Sequence, residues 1–345
     1  MCTVREAMDA YHSLSCQDRM TFYITLTNDV SVDKENMQEL LVETRFSDAQ
    51  KCIHCGSSHF VKNGVRKDGT QRYLCRDCKK SFLLNTNSIS SRSRKRLSVW
   101  KKYFDCLMAK KTLKESAKEC EISMGTAFLW RHKILDALQE MAGEVRLDGT
   151  VEADETFFNV SYKGNHRKKD KFTMPREAHQ RGNSVHTKGL SDEKVCVVCA
   201  VNEDNVPIAK VGKTGKVSSE CIEKVLKDRL APDTILCTDN EKAYHSFAEK
   251  NQIALIQMDT DKRVKGHYNI QRINAYHSRL KGFISHFHGV STKYLDNYLT
   301  WYNLILCSQK EKDETLRMLM GYSLSIPKTI RCFEVSDRPV IPSVV

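Results

Sequence analysis

The side chains with chemical potential fall into two groups, and their spacing narrows what each can do. The first is Cys52-x-x-Cys55 with Cys75-x-x-Cys78, separated by nineteen residues. Two residues between thiolates let one tight turn present both sulfurs to a tetrahedral ion, so the four read as ligands of a structural Zn2+. The second group comprises Asp154 and Asp239, each ending an apolar segment, and Asn274, His277, Ser278 and Lys281, which share one face of a helix at i, i+3, i+4 and i+7. Carboxylates at strand ends can converge on one cleft and hold two Mg2+ or Mn2+ ions. Such ions serve phosphodiester chemistry by activating a water or 3′-hydroxyl and by stabilising the leaving oxygen. A third carboxylate is the usual complement, yet no Glu occurs between Glu249 and Glu311. The Asn274 side-chain carbonyl is the available, weaker oxygen ligand. Lys281, two turns on, is placed to hold a phosphate near the metals.

These residues need elements to position them. The segment between the cysteine pairs reads as two strands, around Phe60–Gly64 and Gln71–Leu74, so residues 49–82 form a zinc ribbon whose metal replaces a core too small to fold alone. Cys196-x-x-Cys199 has the same short spacing but sits on a strand, where i and i+3 point to opposite faces, so these are core cysteines. Residues 98–142 are helical and basic. Lys114–Cys120 and Met124–Leu135, joined by Glu121-Ile122-Ser123 with Ser123 as N-cap, read as a helix-turn-helix; a plain helical hairpin is the alternative. From about residue 147 strands dominate: 151–158, then a hairpin of 194–201 and 208–211. Helix 218–230, strand 234–239, helix 241–250, strand 253–257 and helix 270–287 follow. That order predicts a mixed α/β sheet covered by helices over 147–307. Residues 83–98 read as a polar basic linker, 1–48 as a small helical element, and 308–345 as a helix and tail. Asp259 and Asp261 follow another strand and compete as carboxylate ligands. Glu155 is expected to point away from Asp154 and to make a local salt bridge. His267, His277, His286 and His288 fit no tidy ligand set.

Charge points to the partner. The net charge is +12, and residues 51–140 hold twenty Lys/Arg against eight Asp/Glu, whereas residues 1–50 hold four against nine. A second basic stretch, 163–188, includes Lys168 and Lys169. Two separate basic regions suit a protein that grips double-stranded DNA at more than one place. No apolar run approaches eighteen residues and the start lacks a signal-peptide pattern, so the expected location is a reducing cytoplasm without membrane attachment. Fourteen cysteines are then not a disulfide framework.

The sequence resembles the insertion-sequence transposases that join an N-terminal zinc ribbon to a retroviral-integrase-like DDE domain, in the branch where Asn replaces the last Glu and Lys follows seven residues later. The resemblance is carried by Cys52–Cys78 with Gln71-Arg72-Tyr73, by Glu152-Ala153-Asp154-Glu155-Thr156-Phe157, and by Thr238-Asp239 with Tyr244. It is closest in 274–281 and continues through Phe287–Leu295 to Trp301. It implies an RNase H-like fold, dependence on Mg2+ or Mn2+, and cutting and joining of DNA at terminal inverted repeats. It assigns Asp154, Asp239 and Asn274 to the metal and makes Lys281 the associated lysine. The expected DNA contacts are Arg72 in the ribbon, Thr126, Trp130, Arg131 and Lys133 on the second helix, Lys168 and Lys169 in the loop 159–190, and His277. Two transposon ends must be brought together, so a homodimer or larger assembly on DNA is expected, in a bacterial, nucleoid-associated setting. Two rivals stand beside this reading: a non-catalytic zinc-ribbon DNA reader derived from a transposase, and an RNase H-like nuclease that cuts branched DNA.

Overall fold

The computed structural model describes residues 51–67, 69–164, 193–258, 264–307, 319–324 and 330–339. The expected N-terminal element, Lys168 and Lys169, Asp259 and Asp261, and most of the C-terminal tail lie outside the described residues. The chain divides into two compact units, Met1–Met141 with Gln309–Ser336, and Ala142–Ser308 with Asp337–Val345.

In the first unit, β1 (Phe60–Val65), β2 (Gln71–Cys75) and β3 (Ser81–Leu83) form a three-stranded antiparallel sheet. Its apolar content is small. Phe82 is buried with Cys52 and Cys75, and Phe60 and Tyr73 pack against it with ring centroids 5.4 and 5.5 Å away. Three helices follow: α1 (Leu97–Met108), α2 (Leu113–Glu119) and α3 (Met124–Gly143). Thr112 and Glu115 close a reciprocal capping box on α2. Glu121 takes a left-handed φ of 52° in the turn, and the Thr126 backbone N–H donates to Ser123 Oγ at 3.1 Å at the start of α3. Trp100 of α1 stacks on Trp130 of α3 at 3.8 Å, with Tyr103 edge-on at 5.6 Å.

Two expectations change here. The segment read as a linker is packed, since Ser88, Ile89 and Ser90 are buried. Helix α3, expected to present Trp130, Arg131 and Lys133 to DNA, is buried on every side from Trp130 to Leu138.

The second unit is built on a five-stranded sheet of β4 (Thr150–Asn159), β5 (Lys194–Asn202), β6 (Pro207–Thr214), β7 (Ile235–Thr238) and β8 (Ala254–Gln257), in the order β6-β5-β4-β7-β8. The β6, β5 and β4 ladder is antiparallel; β4, β7 and β8 run parallel. Eight of the nine residues of β5 are buried, which explains its unbroken Val, Cys and Ala run: a strand covered on both faces needs no polar alternation. The covering helices are α4 (Ser219–Leu226), α5 (Lys242–Asn251), α6 (Gln271–His286) and α7 (Leu295–Cys307). Helices α4 and α6 both pack against β5, whose successive residues face opposite sides of the sheet. A short hairpin of β9 (Val264–Lys265) and β10 (Tyr268–Asn269) leads into α6. Tyr276 of α6 donates to Asn303 Oδ1 of α7 at 2.6 Å, and Phe283, Phe287, Tyr298 and Trp301 cluster at the same junction. No helix among the described residues is long and apolar enough to cross a membrane.

Candidate active site and metal centre

In the ribbon, two tight turns bring the four sulfurs together. Cys52 Sγ lies 3.7 Å from Cys78 Sγ, and Cys55 Sγ lies 3.6 Å from Cys75 Sγ. All four lie within 4.8 Å of one another. A tetrahedral ion with Zn–S bonds of ~2.3 Å separates its sulfurs by about 3.8 Å, so the cysteine cage fits zinc. Arg72, on the neighbouring strand, is exposed and donates to the Asn63 carbonyl at 2.9 Å.

The carboxylate site follows from the sheet register. On the parallel pair, Glu152 of β4 stands opposite Cys237 of β7. Two residues further along each chain come Asp154 and Asp239, so both carboxylates arise at the same level on adjacent strands. Burial, and then the Asp239 charge, push the Asp154 carboxyl up to about 6, against the opposing pull of the Glu155 N–H and Lys281. Asp239 Oδ1 accepts the Glu241 N–H at 3.1 Å, and Asp154 Oδ1 accepts the Glu155 N–H at 2.9 Å, which fixes both carboxylates close to the backbone.

Helix α6 brings the remaining groups. The Asn274 side-chain N–H donates to the Ile270 carbonyl at 2.7 Å; only the amide nitrogen can do this, so the amide oxygen points elsewhere and accepts no hydrogen bond among the described residues. His277, one turn later, is buried, with Nδ1 3.7 Å from Asp154 Oδ2. Burial, helped by Lys281, holds its ring down at about 4, so it is neutral at neutral pH. Lys281 is exposed and close enough to act on both Asp154 and His277. Two half-buried carboxylates side by side and an amide oxygen without a donor suit a hard divalent cation.

Sequence reasoning passed over one residue. Glu152, two positions before Asp154 and therefore on the same face of β4, is 1% exposed. Its Oε1 accepts Arg272 Nη1 at 3.0 Å and its Oε2 accepts the Ile273 backbone N–H at 3.1 Å. It thus caps the start of α6 and ties the Asn274 helix to the Asp154 strand. The period-2 alternation of Glu152 and Asp154 was the visible signal.

Several expected positions move. Trp130, Arg131 and Lys133 are buried: Trp130 in the Trp100 stack, Arg131 donating to the Lys111 carbonyl at 2.7 Å, and Lys133 to the Ile89 carbonyl at 3.3 Å. Side chains without exposed surface do not reach a phosphate or base edge, so these three leave the DNA-contact set. His277 sits inside the site, beside Asp154. Thr126 is half-buried at the first turn of α3. Glu155 makes no salt bridge among the described residues; its Oε2 is buried without a partner, and burial, then Asp154, Asp239 and Glu241, push its carboxyl up to about 7. His267, His286 and His288 are exposed.

The family model of the ISXO2-like transposase domain matches residues 146–302, the segment that holds Asp154, Asp239, Asn274 and Lys281. The chain is 23% identical over 276 residues to a Halobacterium salinarum protein described as an uncharacterized protein in transposable element ISH50, covering 79% of this chain and 90% of that one. Among solved structures it is similar to the Mos1 mariner paired-end complex with Mn, at 12% identity over 58% of this chain and 73% of that one, with a TM-score of 0.21. A second Mos1 transposase paired-end complex, with the left transposon end, matches at 11% identity over 84% and 94%, with a TM-score of 0.19.

Proposed function

We propose that the chain is a DNA transposase whose second unit is an RNase H-like catalytic domain, with Asp154, Asp239 and Asn274 holding the catalytic cations. The observation that carries this reading is the parallel β4–β7 register, which sets two carboxylates side by side under the helix bearing Asn274. The strand order, antiparallel on the β6 side of β4 and parallel on the β8 side, supports the RNase H-like assignment.

Bound Mg2+ or Mn2+ would supply a polarised water or 3′-hydroxyl and stabilisation of the leaving oxygen. The protein's own part is positional. Asp154 and Asp239 present anchored carboxylates, Asn274 presents its amide oxygen, and Lys281 offers a positive charge to the phosphate under attack. Such pre-set geometry is where much of the rate of phosphoryl transfer arises. In the first unit, the zinc-loaded ribbon grips DNA through Arg72 and its basic neighbours. Helices α2 and α3 act as a helix-turn-helix, with Thr126 at the exposed end of the second helix. Lys168 and Lys169 add contacts to DNA, and two chains act together on paired ends.

The test is cleavage of DNA carrying the ends of the flanking element, in Mg2+ and in Mn2+. Wild type is expected to nick at the end and expose a 3′-hydroxyl, with Asp154→Ala and Asp239→Ala inactive and Asn274→Ala strongly impaired. Cleavage that survives in both Asp variants would remove the assignment. End binding without cleavage by wild type would leave the non-catalytic reader in its place.

A further inference from the structure

The reading above leaves the cation with two carboxylates and one neutral amide oxygen. We propose that His277 is a further ligand of this cation, offering its Nδ1 lone pair beside the Asp154 carboxylate. The inference rests on the catalytic reading and adds a nitrogen donor to it.

Three observations carry it. His277 follows Asn274 by one turn on α6, so both side chains leave the same face of the helix, and His277 stands beside Asp154 of β4. Its Nδ1 is 3.7 Å from Asp154 Oδ2, which is beyond hydrogen-bond reach. Two donors on one ion with bonds of ~2.0–2.1 Å sit about 3 to 3.5 Å apart, so closing on a cation asks only a small movement of either side chain. Finally, neither ring nitrogen makes a hydrogen bond among the described residues, and Nε2 is buried without a partner. A side chain only 10% exposed that the fold holds by packing alone has no structural use for its lone pair. The charged groups beside the ring are Asp154, at 3.7 Å, and Lys281, one turn further along α6.

The donor set has a chemical consequence. Imidazole suits the later divalent transition metals, whereas Mg2+ and Mn2+ are served mainly by oxygen donors, so this site should gain affinity for the later ions of the series more than for Mn2+ or Mg2+.

The test uses the full chain with its ribbon filled with zinc, titrated with Mn2+ and read by pulsed electron paramagnetic resonance. Wild type is expected to bind Mn2+ in an Asp154-dependent way and to show coupling to one histidine nitrogen, which changes character when histidine is labelled with 15N. His277→Gln is expected to lose that coupling and to bind Mn2+ at least about tenfold more weakly, as metal sites do when a supporting group is removed. Asp154-dependent binding without nitrogen coupling in wild type would overturn the inference while leaving the catalytic reading intact, and so would coupling that persists in His277→Gln. Should Asp154→Ala bind Mn2+ as wild type does, both would fall. The wild-type spectrum alone decides the matter if the Gln variant does not fold.

Discussion

Arg272 donates from Nη1 to Glu152 Oε1 at 3.0 Å, and the same carboxylate takes the next backbone N–H of α6 on its other oxygen. Sequence-distant by 120 residues, these two side chains join the strand of the first carboxylate to the helix of the third ligand. Glu152→Ala strips a buried charged acceptor from both donors and should destabilise the second unit by about 1.5–3 kcal/mol. Glu152→Gln still accepts the Ile273 N–H and should lose about half as much. Urea unfolding of the three proteins checks the order; equal stability of all three would mean the clamp contributes nothing.

Zinc removal should act on the ribbon. With three aromatic rings as its main apolar content, residues 51–83 have little but the metal to hold them. One zinc per chain is expected by metal analysis, and stripping it with a chelator should open this segment to protease and abolish end binding. A metal-free protein that stays protected between Cys52 and Phe82 would contradict the cage.

Two arginines should separate stability from DNA affinity. Arg131 is fully buried and its guanidinium satisfies the Lys111 carbonyl, so Arg131→Ala is expected to cost about 1–3 kcal/mol through the exposed, unpaired remainder. Arg72 is exposed, so Arg72→Ala should leave the melting temperature in place and weaken DNA binding at all sequences. The slope of log affinity against log salt should then shrink by about one. Thermal melts alongside salt-dependent binding distinguish the two; an unchanged melt for Arg131→Ala would sink the burial argument.

Gly212 of β6 has no room for a side chain. A Cβ there would stand 2.2 Å from Cys221 Sγ of α4. Gly212→Ala should therefore cost about 1–3 kcal/mol by overpacking. Cys221→Ala in the same chain should return part of that loss, a coupling that a double-mutant cycle measures directly. Additive effects would show that the clash is relieved elsewhere.

What could be read from residues alone was what is local. The two CxxC pairs, the hairpin around 202–207, the short strand ending at Asp239 and the α6 face bearing Asn274 and Lys281 all follow from spacing or periodicity within a few turns of chain. Helix α3 misled because Arg131, His132, Lys133 and Asp136 look like a solvated or DNA-facing surface, whereas the structure buries all four. A charged residue's burial depends on partners elsewhere, as with the Lys111 carbonyl for Arg131. Glu152 was overlooked for the same reason: its neighbours in sequence are β4 residues, and its meaning comes from Arg272 and Ile273. Ile89 sat in a run of Ser, Asn and Arg that read as a linker, and only the packing of unit one places it inside.

The most direct measurement is strand transfer: joining of an end-bearing DNA, supplied with a free 3′-hydroxyl, to target DNA in Mn2+, with end binding measured on the same samples. The account predicts joined products from wild type and none from Asp154→Ala or Asp239→Ala, although both variants bind the ends as tightly as wild type. Joined products from either variant, or wild type that binds the ends and never joins them, would contradict it.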